Sequence, residues 1–134
     1  MGITRINPRG LYDSVQYGFS HATLQDGGRT LHLAGQVAWD KSGALVGAGD
    51  LAVQTRQALA NLRHVLADVG ATPGQIVRLR TYVVNHTPDK LGIVLPELGA
   101  FFAGEVPPPN TFLGVAALAL PEFLIEIEAT AAIA

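Results

Sequence analysis

Near the C-terminus, apolar residues alternate with acids. In Leu124-Ile125-Glu126-Ile127-Glu128-Ala129 the period is two, the mark of a strand with one buried face. Glu126 and Glu128 then point the same way, so two carboxylates share one face of a sheet. Upstream, Pro107-Pro108-Pro109-Asn110-Thr111 opens an apolar run from Phe112 to Leu120, and Pro121-Glu122-Phe123 separates the two runs. Leu113 to Leu120 has some helical propensity, but its short length and flanking prolines favour a strand. The two runs read as a paired hairpin that carries the site, with Asn110, Phe112, Gly114 and Ala116 on one face.

The strongest helix begins at Asp50, a candidate N-cap. Leu51, Thr55, Ala58, Leu59, Leu62, Val65, Leu66 and Val69 recur at three- and four-residue steps, with Gln54, Arg56, Gln57, Asn61, Arg63 and Asp68 between them. That is an amphipathic helix with one buried stripe, stopped by Gly70. Ile76 to Asn85 alternates and is rich in β-branched residues. Val77, Leu79, Thr81 and Val83 oppose Arg78, Arg80, Tyr82 and Val84, which predicts a strand. Thr87-Pro88-Asp89 has the chemistry of a helix start. It leads into a helix that turns Leu91, Val94, Leu95, Leu98, Phe101 and Phe102 to the core and should kink or split at Pro96. Ser20 to Leu24 and Arg29 to Ala34 flank Gln25-Asp26-Gly27-Gly28, a hairpin signal. Ile3 to Asn7 reads as a further short strand. The sum is an α+β fold, about six strands in a mixed sheet with two helices on one face. The other sheet face would hold Arg78, Arg80, Tyr82, Glu126 and Glu128.

Length and charge add to this picture. The 134 residues suffice for a single domain, 1–134. Charged residues make up only 15% against 49% hydrophobic, which is sparse cover for a small domain. Burial of surface between subunits follows, as in a homo-oligomer. There is no cysteine, so no disulfide framework or thiolate chemistry. Met1 to Pro8 lacks the apolar core of a signal peptide, and no run approaches a membrane span. A cytoplasmic protein with no membrane partner is expected. The net charge of −2 does not suggest a nucleic-acid partner.

Taken together, these residues resemble the Rid family, the YjgF and L-PSP proteins known as reactive intermediate deaminases. The resemblance runs from about Gly18 to Thr130. It is carried by Leu33-Ala34-Gly35-Gln36, by Gln54 to Leu62, by Ile76 to Val84 and by Ile125-Glu126-Ile127-Glu128-Ala129. It implies a chorismate-mutase-like fold, a homotrimer, and three ligand clefts between neighbouring subunits. Members best known for their chemistry hydrolyse enamines and imines, such as 2-aminoacrylate, to a keto acid and ammonia. In them an arginine after a proline-small pair grips the substrate carboxylate in a bidentate fork. Here that position is Asn110. The family tyrosine near the N-terminal strand becomes Phe19, and the small residue two after the arginine becomes Phe112. The glutamate that positions water is matched by Glu126. Gly35 and Gln36 fall among the expected substrate contacts.

The substitutions have a physical consequence. Asn110 offers two donors and an acceptor but no charge. Losing the charged fork costs a carboxylate ligand about 2–5 kcal/mol unless something replaces it. Phe112 makes the cleft more apolar, so a neutral or larger aromatic ligand is expected. Arg80 is a candidate replacement clamp, set against the plainer reading of an interface ion pair with a glutamate. Glu126 is the candidate catalytic base, because an iminium carbon needs only a placed water and a modest base. The plainer reading makes Glu126 and Glu128 a polar strand face.

Other chemistries find little support. His21, His32, His64 and His86 lack metal-ligand spacing, so neither metal nor cofactor is expected. Ser14, Ser20 and Ser42 lack a nucleophile-elbow setting. Gly47-Ala48-Gly49-Asp50 lacks the lysine of a phosphate loop. The family has also been labelled ribonuclease, against which the acidic balance argues here. Two readings result: an imine hydrolase of altered substrate range, or a non-catalytic ligand-binding or regulatory trimer.

Overall fold

A computed structural model describes residues 1–134. Helix α1 spans Leu51–Asp68. It starts where its chemistry demands, with the Asp50 carboxylate accepting the Val53 amide proton at 3.1 Å. Thr55, Ala58, Leu59, Leu62 and Leu66 form its buried stripe. Val69, expected at the end of that stripe, is 44% exposed because it follows the last helical turn.

Gln54 departs from the expected polar face and is fully buried. Its Nε2 donates to the carbonyls of Gly47 at 3.1 Å and Glu122 at 3.0 Å, and its Oε1 accepts from the Leu124 amide at 2.9 Å. A buried amide with every bond satisfied is stable inside a core. Here it ties α1 to a loop some 70 residues away.

Helix α2 (Leu91–Phe101) follows a single 3₁₀ turn, Pro88–Lys90. The Thr87 hydroxyl donates to the Asp89 carboxylate rather than capping the backbone. The helix runs through Pro96 as one element, so the expected split does not occur. Val94, Leu98, Phe101 and Phe102 are buried, while Leu91 and Leu95 are only half-buried. No helix is long and apolar enough to cross a membrane.

The six strands are β1 (Gly2–Ile6), β2 (Ala22–Asp26), β3 (Arg29–Gln36), β4 (Ile76–Val84), β5 (Asn110–Val115) and β6 (Ile125–Ile133). They divide into a two-stranded ribbon, β1-β2, and a four-stranded sheet in the order β3-β6-β4-β5. Both expected hairpins are corrected. Gly27 and Gly28 do turn the chain with φ of 74° and 83°. A side chain on Gly28 would sit 2.6 Å from the Ile133 carbonyl. Yet the strands on either side pair elsewhere, β2 with β1 and β3 with β6.

Likewise β5 pairs not with β6 but with β4, in parallel. The long β4-α2-β5 crossover permits that direction. Strand β6 takes the centre because Ile125, Ile127, Ala129, Ala131 and Ile133 bury one whole face. The expected first strand also stops at Val115, short of Ala116 and Leu120.

Cross-strand register fixes the faces. Leu79, Thr81 and Val83 join Ile125, Ile127 and Ala129 in the core beneath the helices. On β4 a bulge between Ile76 and Arg78 puts Ile76, rather than Val77, into that core. On the open face, Arg80 stands opposite Glu128 and Tyr82 opposite Glu126, as the alternation predicts. On β5, Asn110 pairs with Leu79 and Phe112 with Thr81, which places both on the helix side. The acids and the amide therefore do not share a face.

Candidate functional site

Proline sets the position of Asn110. The three prolines are strung between two anchors: the Leu79 amide donates to the Pro109 carbonyl at 2.8 Å, and the Ser20 amide to that of Pro108 at 3.2 Å. The Ser20 hydroxyl also donates to the Pro107 carbonyl at 2.5 Å. Ser20 is itself held by Asn7, whose Nδ2 donates to its Oγ at 3.2 Å, while Asn7 Oδ1 accepts from the Ser14 hydroxyl and the His21 amide. Ser14 and Ser20 are almost completely buried. They are structural pins, a role that searching for nucleophiles could not show.

These pins bring the Tyr12–Phe19 segment over the start of β5. The result is a cavity of about 430 Å³ whose lining includes Phe19, Asn110 and Phe112 together with Tyr12, Tyr17, Leu91 and Leu95. Tyr12 meets Tyr17 and Phe19 edge-on, with ring centroids 6.4 and 6.3 Å apart. Phe112 is backed by His86 at 5.0 Å, whose Nδ1 is buried without a partner. A side chain on Gly114 would crowd His86 Cβ at 2.9 Å, so the glycine leaves room for the His86 backbone to pass. Asn110 Oδ1 accepts the hydroxyl of fully buried Thr81 at 3.1 Å. Leu91 and Leu95, read from sequence as core, line this pocket, and Leu95 also packs against the core. Their i, i+4 spacing at the start of α2 is the signal that could have pointed there.

Glu126 lies on the opposite side of the sheet. Its carboxylate packs over Gly35, where a side chain would come within 2.8 Å of Glu126 Cδ and 2.9 Å of Cγ. Only a glycine leaves that space, and the bulge between Leu33 and Gln36 delivers it. The hydrogen bonds of this face go to Glu128. The Tyr82 hydroxyl donates to it, and Arg80 Nη1 lies 4.0 Å from its Oε1. That bond, with some desolvation, holds the Tyr82 phenol above its ordinary pKa. Glu126 is left free to accept.

Gly35 and Gln36 also edge a separate cavity of about 640 Å³ beside α1, near Trp39, Gln57, Asn61 and His64. Asn61 closes its floor by donating to the carbonyls of Val37 and Trp39 at 3.0 and 2.9 Å. Arg80 borders a third depression with His32, Arg78 and Glu128. Its partial pairing with Glu128 is made within the one chain, with both side chains more than a third exposed. It does not reach Asn110 in the same chain. No three His, Asp or Glu side chains converge as a metal site would need.

The chain thus presents Asn110, Phe112 and Phe19 on one side of the sheet, and Glu126, Gly35 and Arg80 on the other or at its edge. Comparison with known proteins gives this arrangement a family. The Endoribonuclease L-PSP family model matches residues 14–133. A Yersinia pestis protein of the conserved Rid family, YyfB, described as of unknown function, is 59% identical over 99% of this chain and 100% of its own, with a TM-score of 0.96. A Mycobacterium tuberculosis protein of the YjgF/YER057c/UK114 family is 29% identical over 98% of this chain and all of its own, with a TM-score of 0.65. A Thermotoga maritima protein provisionally named an endoribonuclease is 26% identical over 96% and 91%, with a TM-score of 0.70. The α+β architecture with its two helices is the one these structures share. The chain belongs to the Rid family, the YjgF and L-PSP proteins.

Proposed function

We propose that this protein is an enamine/imine hydrolase of altered substrate range, working as a single Rid-type domain in a homotrimer. The observation that carries the reading is Glu126, a half-buried carboxylate set over Gly35, while the donors on its face, Tyr82 and Arg80, turn to Glu128 instead. Because Glu126 and Asn110 lie on opposite sides of one sheet, a single ligand touches both only where two copies meet. The sparse surface charge supports such an assembly.

In the proposed reaction, water adds to the electrophilic iminium carbon while Glu126 takes one of its protons. The resulting carbinolamine receives a proton on nitrogen from the Glu126 acid. The carbon–nitrogen bond then breaks as the carbinol hydroxyl gives its proton back to the Glu126 carboxylate, ammonia leaves and a carbonyl forms. Asn110, Phe112 and Phe19 shape the pocket, with Gly35 and Gln36 lining the cleft from the other subunit. Arg80 holds Glu128 rather than a substrate.

The second reading, a ligand-binding trimer without catalysis, is favoured by one feature, the aromatic cavity free of charged residues. An ammonia-release assay separates the two, using imines made in place by an amino-acid oxidase from a panel of amino acids. Release above the uncatalysed rate is expected for at least one imine. Asn110→Arg should then raise activity toward small carboxylate-bearing imines by about tenfold or more, since it restores a charged fork. Inertness toward every imine, with a small ligand still bound, would leave the second reading standing.

A further inference from the structure

The cavity between β5, α2 and the Tyr12–Phe19 segment points to a ligand class, resting on the hydrolase reading only for which bond reacts. Its volume, about 430 Å³, lies within the range of small-molecule pockets. Tyr12, Tyr17, Phe19, Leu91, Leu95 and Phe112 supply apolar walls, and no Lys, Arg, Asp or Glu lines it. A carboxylate placed there would lose water and gain no counter-charge. An aromatic ring would meet ring edges and alkyl groups instead.

The one side-chain amide in this lining is already committed at one end. Asn110 Oδ1 accepts the Thr81 hydroxyl at 3.1 Å, and Thr81 is fully buried, so that bond is shielded from water. Besides one lone pair on Oδ1, what Asn110 has left to offer is its NH₂, a donor with no partner in this chain. A ligand group beside it must be an acceptor, since a second donor would face unpaired N–H groups.

We propose that this pocket takes a neutral aromatic molecule with one hydrogen-bond acceptor next to the ring, an aryl ketone or the corresponding imine. The ring lies among the aromatic walls and the acceptor takes a proton from Asn110 Nδ2. Thr81 is a positioning residue that fixes which end of the amide faces the ligand.

Titration calorimetry with two probes tests this: acetophenone, and phenylglyoxylate, which carries the same ring and carbonyl plus a carboxylate. The full-length protein should bind acetophenone about tenfold more tightly or better. Asn110→Asp keeps the shape but removes the donor, and should weaken acetophenone by about tenfold with an unchanged melting temperature. Asn110→Arg should reverse the preference. Equal or tighter binding of phenylglyoxylate by the unmodified protein overturns the proposal. So does acetophenone affinity that is undetectable or indifferent to Asn110→Asp. If acetophenone fails while aliphatic imines are still hydrolysed, the ligand class falls and the hydrolase reading stands. If acetophenone binds as expected and no imine is hydrolysed, the ligand class stands and the hydrolase reading falls.

Discussion

Glu126→Gln is expected to lower ammonia release from an imine substrate by about 10²–10⁴-fold, the usual worth of a placed general base. Glutamine matches glutamate in size and fits over Gly35 as well. It cannot take a proton from water. No hydrogen bond on this face depends on Glu126, since Tyr82 donates to Glu128, so the fold should hold. The loss should fall on kcat with KM near its original value, because the carboxylate acts in the reaction and not in gripping the ligand. A change confined to KM, or none, would remove Glu126 from the chemistry.

Gln54→Leu is expected to cost about 3–5 kcal/mol of unfolding free energy, because each buried group left unpaired costs about 1–3 kcal/mol. Leucine fills similar space but pairs with neither the Glu122 carbonyl nor the Leu124 amide, while the Gly47 carbonyl keeps the Asp50 amide. For a domain whose whole stability is on the order of 5–15 kcal/mol, that is a large fraction. Leu124 immediately precedes β6, so the damage should spread toward Glu126. Urea unfolding measures it, and a cost below about 1 kcal/mol would mean that water satisfies those groups instead.

The contrast between these two residues shows what sequence pattern carries. The face of Glu126 was legible because alternation in Ile125-Glu126-Ile127-Glu128 is local and survives any choice of strand partner. The stripe of α1 was legible for the same reason. Gln54 was not, since its burial depends on a carbonyl and an amide brought in by one loop some 70 residues away. Strand partners were also hidden. The turn at Gly27-Gly28 was visible, but whether β2 and β3 pair is decided by the competing claims of β1 and β6.

The same limit applies to the site. Family resemblance picks out Asn110, Phe112, Phe19 and Glu126 as a set, yet register alone shows that β5 turns two of them to the helix side while β6 turns Glu126 away. Leu91 and Leu95 show as a pair by their spacing, but that they face one pocket with Tyr12 is set by the tertiary placement of their segments, which no local period encodes.

Subunit mixing tests most directly whether one reaction centre draws Glu126 and Asn110 from different copies. Glu126→Gln and Asn110→Asp would each be purified, shown to be poorly active, unfolded together and refolded as a mixture. With shared clefts, random mixing rebuilds about a quarter of the sites with both original residues, so activity should rise well above either parent. If each site belonged to one chain, the mixture would be no more active than the average of the two variants, and the two-copy centre would be wrong.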